Sequence, residues 1–338
     1  MIERKYLSSV HFFRGLAALA VCMYHFTNRK DGFLADTDII KIAGKYGGYG
    51  VHVFFIISGL VIPFAMHQGN YHLKDFKRFM AKRIIRIEPP YIVSIVIVLV
   101  FGYLSTLSPY YRGQPFHIDI LGLLCHIGYL NAFLHLEWIN PVYWTLAIEF
   151  QYYILIALLY PLLASKKVYI WASAVLVFNL VSFLIPDQNF IFYYSLYFTI
   201  GIIIYKFFVN EINRVSYYSL ISGILIAVFL KFEAAGLIAA MLPVVFIFTR
   251  WENKFCRFMG NISYSLYLLH VPVGLRVINL SENFVKNEWA RYLIILLALI
   301  ITIGASYIFY LWVELPFKNI SKKIRYDDKK PAYVVNSI

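Results

Sequence analysis

The segment from Arg14 to His25 places two ionisable side chains in a run of residues apolar enough to cross a membrane. In an α-helix these eleven positions span about 16 Å and about three full turns, so both side chains lie on one face. A charge inside a bilayer is costly, and such residues are usually functional. The alternative is that Arg14 extends to the inner interface while His25 packs against a neighbouring helix. Because Arg4 and Lys5 already anchor that end, we favour a functional pair.

Two more arginines lie in the stretch RFMAKRIIRIEPPY, on the first predicted inner loop. Arg83 and Arg86 are three residues apart and therefore share one helix face. Their guanidinium groups have the geometry that binds phosphate oxygens. Simple anchoring of the loop at an anionic lipid surface explains the spacing equally well. The two arginines are thus candidate phosphate ligands on spacing alone.

The stretch YWTLAIEFQYYIL contains Glu149, the carboxylate that lies well inside a predicted span. Thr145, Glu149 and Tyr152 follow one another at helical spacing and form a polar stripe. A carboxylate in a membrane needs a cation, a histidine or a proton. Arg14 and His25 are the candidate partners. A structural ion pair and a direct catalytic role both fit this pattern.

Two further stretches are less specific. GGYGVHVFFIISGL contains His52 and Ser58 among glycines, a composition typical of closely packed membrane helices. GNISYSLYLLHVP places Ser263, Tyr267 and His270 on one helix face. We interpret His270 as a structural residue.

The composition sets the class of protein. Hydrophobic residues make up 61% of the 338 residues and charged residues only 14%, whereas about a quarter are charged in soluble proteins. The net charge of +13 is distributed between apolar spans, which indicates membrane topology and not a nucleic-acid partner. The three cysteines show no paired spacing, and zinc, phosphate-loop and serine-hydrolase motifs are missing from the sequence. No metal is expected.

We predict an all-α integral membrane protein with about ten transmembrane helices. The spans are 8–27, 50–67, 89–107, 142–164, 168–185, 190–208, 215–230, 234–249, 260–279 and 291–312. With these boundaries, 21 Lys and Arg residues lie on the side of the termini and 9 on the other side, which places both termini in the cytoplasm. Residues 118–134 would invert this bias as a span, so we predict a re-entrant or interfacial outer segment there. The first helix is read as uncleaved.

Taken in order, HFFRGLAALAVCMYHF, GVHVFFIISGL, RFMAKRIIRIEPPY, YWTLAIEFQYYIL, GNISYSLYLLHVP and VELPFKN resemble the membrane acyltransferase-3 family, the bacterial surface-glycan O-acyltransferases. The resemblance runs from about residue 8 to residue 320. The basic residue and histidine of the family's first helix fall on Arg14 and His25, and its paired arginines on Arg83 and Arg86. Its Trp-Ser/Thr-Leu-x-x-Glu block falls on 144–149.

The resemblance implies one transmembrane domain, 1–320, followed by a basic cytoplasmic tail, 321–338, without a soluble extracytoplasmic domain. It implies transfer of an acyl group, usually acetyl, from cytoplasmic acyl-CoA to a sugar hydroxyl of a surface polysaccharide, such as lipopolysaccharide O-antigen, or of its lipid-linked precursor. The protein would lie in the bacterial inner membrane. Its partners would be acyl-CoA, the glycan and the bilayer, and an oligomer is compatible with the sequence.

The resemblance also implies roles for individual residues. Those that bind acetyl-CoA would be Arg14, Arg83 and Arg86. His25 would act as general base or become acylated itself, and Glu149 would orient it or balance its charge. The supporting residues would be Trp144, Thr145 and Tyr152.

Two other classes of protein stay open from the sequence. A secondary transporter or flippase also carries a few buried charges among its helices. The lack of a detectable repeat and of matching broken helices argues against it. A binding or sensor protein without chemistry ranks below both.

Overall fold

A computed structural model describes residues 2–29, 32–109, 111, 116–249, 253–282 and 284–326, and within these ranges the chain forms helices and no β-strand. The α-helices are α1 (Ile2–Thr27), α2 (Ile39–Lys45), α3 (Gly50–Gln68), α4 (Phe76–Thr106), α5 (Ile120–His126), α6 (Asn131–Leu134), α7 (Trp144–Leu163), α8 (Val168–Leu184), α9 (Ser195–Phe208), α10 (Arg214–Phe246), α11 (Lys254–Leu269), α12 (Arg276–Ser281), α13 (Glu288–Phe309) and α14 (Leu315–Lys323). Short 3-10 segments lie at Tyr46–Tyr49, Leu73–Asp75, Ile127–Tyr129 and Ile191–Tyr194, and π-helical segments at His270–Leu275 and Tyr310–Glu314. The predicted all-α class is confirmed. Of the predicted tail, 327–338 lies outside the described residues.

Six helical stretches are long and apolar enough to cross a membrane. They are Ile39–Gln68, Leu73–Thr106, Trp144–Leu163, Ile191–Phe208, Arg214–Phe246 and Glu288–Lys322. The chain is therefore a multi-pass membrane protein. The predicted count of ten is not confirmed, because two predicted spans fall within α10, on either side of a non-helical Glu233 (φ 59°). The other three lie on α1, which carries charged residues, on α8, which has 17 residues, and on α11, which has 16 residues.

Small residues allow the helices around α1 and α3 to approach closely. At the contact of α1 with α11, a Cβ added to Gly15 or Gly260 would lie within 3 Å of the other helix. At the contact of α3 with α9, a Cβ on Gly59 or Gly201 would overlap a backbone carbonyl oxygen. Close backbone contact of this kind is a common basis of helix association in membranes. The packing fixes the positions of the side chains that α1 and α3 present to the interior.

The segment predicted to be re-entrant or interfacial, 118–134, consists of short helices. The longer one, α5, has 7 residues and a length of about 10 Å, too short to cross a bilayer. The ring of His126 fixes its end, since Nδ1–H donates to the carbonyl oxygen of Gly122 (2.7 Å) and Nε2 accepts from the backbone N–H of Ile139 (3.2 Å). Burial lowers the pKa of His126 and so favours the neutral ring that this second bond requires.

Replacing Gly201 with alanine tests the close packing of α3 on α9. The added methyl group must displace backbone, so we expect Gly201→Ala to lower the stability by about 1–3 kcal/mol. The matched control is Gly304→Ala, because nothing lies within 4 Å of the added Cβ there. Thermal unfolding in detergent, followed by tryptophan fluorescence, should show a lower midpoint for Gly201→Ala alone. Equal midpoints would contradict the packing described here.

Candidate active site

A cavity lies among α1, α3, α4, α7 and α11 and reaches the end of the π-helical segment that follows α13. Together with its open mouth it holds about 940 Å³ of empty space, a volume typical of small-molecule sites. Its polar lining consists of Arg14, Ser58, Arg83, Arg86, Thr145, Glu149, Tyr153, Ser263, Tyr264, Tyr267 and Glu314. Five of the eight site residues predicted from the sequence thus line one cavity.

Three arginines give the cavity its positive charge. In the described part of the chain, Arg14, Arg83 and Arg86 have no hydrogen bond and no carboxylate oxygen within 4 Å. Arg83 is only 8% exposed, its Nε is a buried donor without a partner, and its guanidinium carbon lies 5.3 Å from the ring centroid of Phe79. Buried charges in proteins are normally paired. The three unpaired cations therefore suit an anionic ligand.

Glu149 forms hydrogen bonds with hydroxyl groups and none with the arginine and histidine expected from the sequence among the described residues. Its Oε1 accepts hydrogen bonds from Ser58 Oγ (2.9 Å) and from Tyr153 Oη (2.6 Å). The predicted partners, Arg14 and His25, form no hydrogen bond with it among the described contacts. Hydroxyl donors stabilise the ionised carboxylate without an ion pair. The arginines are therefore left available.

Thr145 and Tyr267 join α7 to α11 beside Glu149. Thr145 Oγ1 lies 2.6 Å from Tyr267 Oη, and both residues line the cavity. Thr145 is one helical turn before Glu149, so the two polar side chains of α7 face the same space, as the predicted stripe requires. This contact therefore joins the parts of the cavity wall that α7 and α11 supply.

The two other predicted supporting residues lie elsewhere. Tyr152 is fully buried and its ring stacks on that of Phe198, with 4.2 Å between centroids. The ring of Trp144 lies 5.5 Å from that of Tyr194. Neither residue lines the cavity, and both stabilise the packing of α7 against its neighbours.

Glu314 is a second carboxylate in the cavity wall. It is 2% exposed, and its Oε2 accepts hydrogen bonds from Ser265 Oγ (2.6 Å) and from the backbone N–H of Ser265 (3.2 Å). It ends the π-helical segment that starts at Tyr310. With Glu149 it sets two carboxylates against three arginines, so the lining keeps an excess of positive charge.

His25 lies outside the cavity lining. It is half-buried, and its ring centroid is 5.1 Å from that of His270. The ring of His270 is in turn 5.7 Å from that of Tyr267, which does line the cavity. A continuous set of rings therefore leads from His25 to the cavity.

Sequence reasoning missed several residues of this site. Tyr153 could have been found, because it is four residues after Glu149 and shares its helix face. The sequence indicates only packing roles for Ser58 and His270, because the approach of Ser58 to Glu149 and of His270 to His25 depends on how separate helices pack. Glu314 was recognised only within the closing VELPFKN block of the resemblance.

A metal site is not formed by the described residues. No group of three or more His, Cys, Asp or Glu side chains among them is placed to hold a metal ion. The cysteines Cys22, Cys125 and Cys256 are buried and free.

The sequence of the chain is similar to those of known proteins. The family model of the acyltransferase 3 domain matches residues 7–311. The peptidoglycan O-acetyltransferase OatA of Listeria monocytogenes is 28% identical over 165 residues, 45% of this chain and 24% of OatA. ORF330 of Acidianus two-tailed virus, named as a candidate acetyltransferase, is 24% identical over 297 residues, 80% of this chain and 84% of that protein. No solved structure matches the chain.

The chain spans about a quarter of the length of OatA and most of the length of ORF330. The family model covers well over half of the chain and includes every cavity residue except Glu314. The chain therefore belongs to the acyltransferase 3 family and carries its acyltransferase domain.

Proposed function

We propose that the protein transfers an acetyl group from cytoplasmic acetyl-CoA to a sugar hydroxyl of a bacterial cell-surface polysaccharide or of its lipid-linked precursor. The observation that supports this most is that three unpaired arginines share one cavity with Glu149, on helices fixed around the helix that carries His25. The relatives named as acetyltransferases support the acyl group. The protein would lie in the inner membrane.

The proposed topology retains ten spans with both termini in the cytoplasm. Residues 1–320 would form the catalytic domain and 321–338 a basic cytoplasmic tail. In this orientation the cavity arginines lie toward the cytoplasm and His25 toward the outer side. The donor and the acceptor would then reach the domain from opposite faces.

The arginines would hold the donor through its phosphates. The nucleotide part of CoA carries a pyrophosphate and a 3′-phosphate, and guanidinium groups bind such oxygens by strong charge-assisted hydrogen bonds. Arg83 and Arg86 come from one turn of α4, and Arg14 comes from α1. Three separate cations can therefore contact more than one phosphate of the same ligand.

The pantetheine arm would carry the thioester toward His25. The two ends of the Arg14–His25 pair are about 16 Å apart along α1, and an extended pantetheine arm is long enough to cover much of that distance. Ser58, Thr145 and Tyr267 line the intervening cavity with hydroxyl groups that can hydrogen-bond the amides of the arm. Binding energy from the distant phosphates would thus position the thioester.

His25 would act as the general base. One ring nitrogen removes the proton of the sugar hydroxyl while the sugar oxygen attacks the thioester carbonyl carbon. The carbon–sulfur bond then breaks, and the CoA thiolate leaves with the proton returned by the imidazolium. An equivalent route acylates His25 first and transfers the acyl group to the sugar in a second step.

Glu149 would act on the electrostatics of the cavity. Its hydrogen bonds with Ser58 and Tyr153 hold its side chain in the cavity that the arginines line. We assign to it the role of balancing the charge of the arginines, because it shares their cavity and no hydrogen bond joins it to His25 among the described residues. Thr145, Trp144 and Tyr152 would keep α7 in place.

Transfer by the purified protein tests the proposed function. Wild type in detergent, supplied with radiolabelled acetyl-CoA and a glycan extract, should move label to the glycan. His25→Ala should lose at least about 100-fold in rate and keep acetyl-CoA binding, since the arginines are unchanged. The proposal fails if wild type neither binds nor consumes acetyl-CoA with any extract. A glycan that is missing from cells carrying His25→Ala, instead of present without its acetyl group, would indicate a flippase.

Removing one arginine tests the donor site. We expect Arg86→Gln to raise the dissociation constant of acetyl-CoA about 10- to 100-fold, because one charge-assisted hydrogen bond contributes about 1.5–3 kcal/mol. The matched control is Arg214→Gln, which removes the same charge from an exposed residue at the start of α10. Equilibrium binding should be unchanged in the control. Equal weakening by both substitutions would show a general effect of charge and no specific site.

A further inference from the structure

His270 is a fully buried histidine with one ring nitrogen unused. Its Nδ1 lies 2.8 Å from the carbonyl oxygen of Tyr267 and 3.2 Å from that of Leu266. Carbonyl oxygens only accept, so Nδ1 carries the hydrogen. Its Nε2 is buried and has no hydrogen-bond partner in the described part of the chain. A neutral ring therefore presents an unused acceptor to the interior.

The unused acceptor lies beside His25. The two rings are 5.1 Å apart between centroids, with 48° between their planes. No hydrogen bond joins these two described side chains in the present conformation. A hydrogen bond between them requires the half-buried His25 side chain to rotate so that a ring nitrogen faces Nε2. Phe26, which is fully buried, adds an apolar ring 6.5 Å from that of His270.

The local backbone is specialised at the same point. His270 begins a π-helical segment, His270–Leu275, after the regular helix α11. Such segments are rare and frequently occur at functional sites. The carbonyl oxygens that receive Nδ1–H belong to the last turn of α11, so the change of helix type and the orientation of the ring are coupled.

We propose that His270 is the positioning residue for His25, a role that rests on the function proposed above. Its Nε2 accepts the N–H of His25, which fixes the tautomer of His25 and leaves the other His25 nitrogen as the base. When His25 takes the proton of the sugar hydroxyl, the hydrogen bond to His270 strengthens and spreads the positive charge. The proton returns to the CoA thiolate, and His270 gains and loses none.

A histidine suits this position better than a carboxylate. An orienting group in catalytic histidine sites is often an acidic residue, but a carboxylate in an apolar part of a membrane protein is expensive without a cation. A neutral imidazole fixed by backbone carbonyls accepts the same N–H without a permanent charge. The pair therefore places a base far from the arginines without adding charge to the bilayer.

Two substitutions separate the positioning role from a purely structural one. His270→Asn keeps an N–H for the backbone carbonyls and loses the acceptor facing His25. His270→Gln keeps an acceptor near the position of Nε2. We expect His270→Asn to lower kcat about 100-fold at unchanged KM for acetyl-CoA, and His270→Gln to recover at least about tenfold of that loss. The double variant with His25→Ala should be no slower than His25→Ala alone.

Each result decides the assignment. Wild-type kcat in His270→Asn, or equal kcat in both His270 variants, overturns it. Loss of acetyl-CoA binding in both variants shows a structural residue and overturns it as well. Absence of transfer by the wild type instead overturns the proposed function, which distinguishes the two failures.

Discussion

The site depends on positive charge inside an apolar helix bundle, carried by arginines that have no hydrogen bond or carboxylate partner among the described residues. Arg14, Arg83 and Arg86 converge on one cavity, and the two carboxylates that face them are held by hydroxyl groups. Ion pairs between these carboxylates and the arginines would have left the guanidinium groups unable to bind a ligand. Buried charge without compensation is unfavourable. An anionic ligand would therefore supply the negative charge that compensates the arginines. The acyltransferase family and the nucleotide phosphates of its proposed donor fit that requirement.

Helix α1 links the two halves of the proposed reaction. Arg14 borders the cavity, and His25 lies about three turns further along the same rigid element, where His270 approaches it. Glycines at the contacts of α1 with α11 and of α3 with α9 allow backbones to touch, which fixes this helix relative to its neighbours. Close packing thus fixes the distance between Arg14 and His25. The long, flexible acetyl-CoA molecule would have to span that distance.

Much of the site could be predicted from the sequence, and the part that could not has a physical reason. Helical spacing predicts that Arg83 and Arg86 share one face of α4, and the resemblance singles out Glu149 on α7; in the structure all three residues line one cavity. The partner of Glu149 and the approach of His270 to His25 depend on how separate helices pack, which no spacing encodes. The predicted count of ten spans is not confirmed, because two predicted spans fall within the single helix α10 and three others lie on α1, α8 and α11, which are not among the six helical stretches long and apolar enough to cross a membrane.

The most direct test of the central claim is competition for acetyl-CoA binding by the two halves of the donor. Radiolabelled acetyl-CoA would be bound to the purified wild-type protein in detergent and displaced with adenosine 3′,5′-bisphosphate or with pantetheine. If the arginines hold the donor by its phosphates, the nucleotide displaces the label and pantetheine at the same concentration does not. Displacement by pantetheine with no effect of the nucleotide would contradict the account, because the unpaired arginines would then have no part in holding the donor.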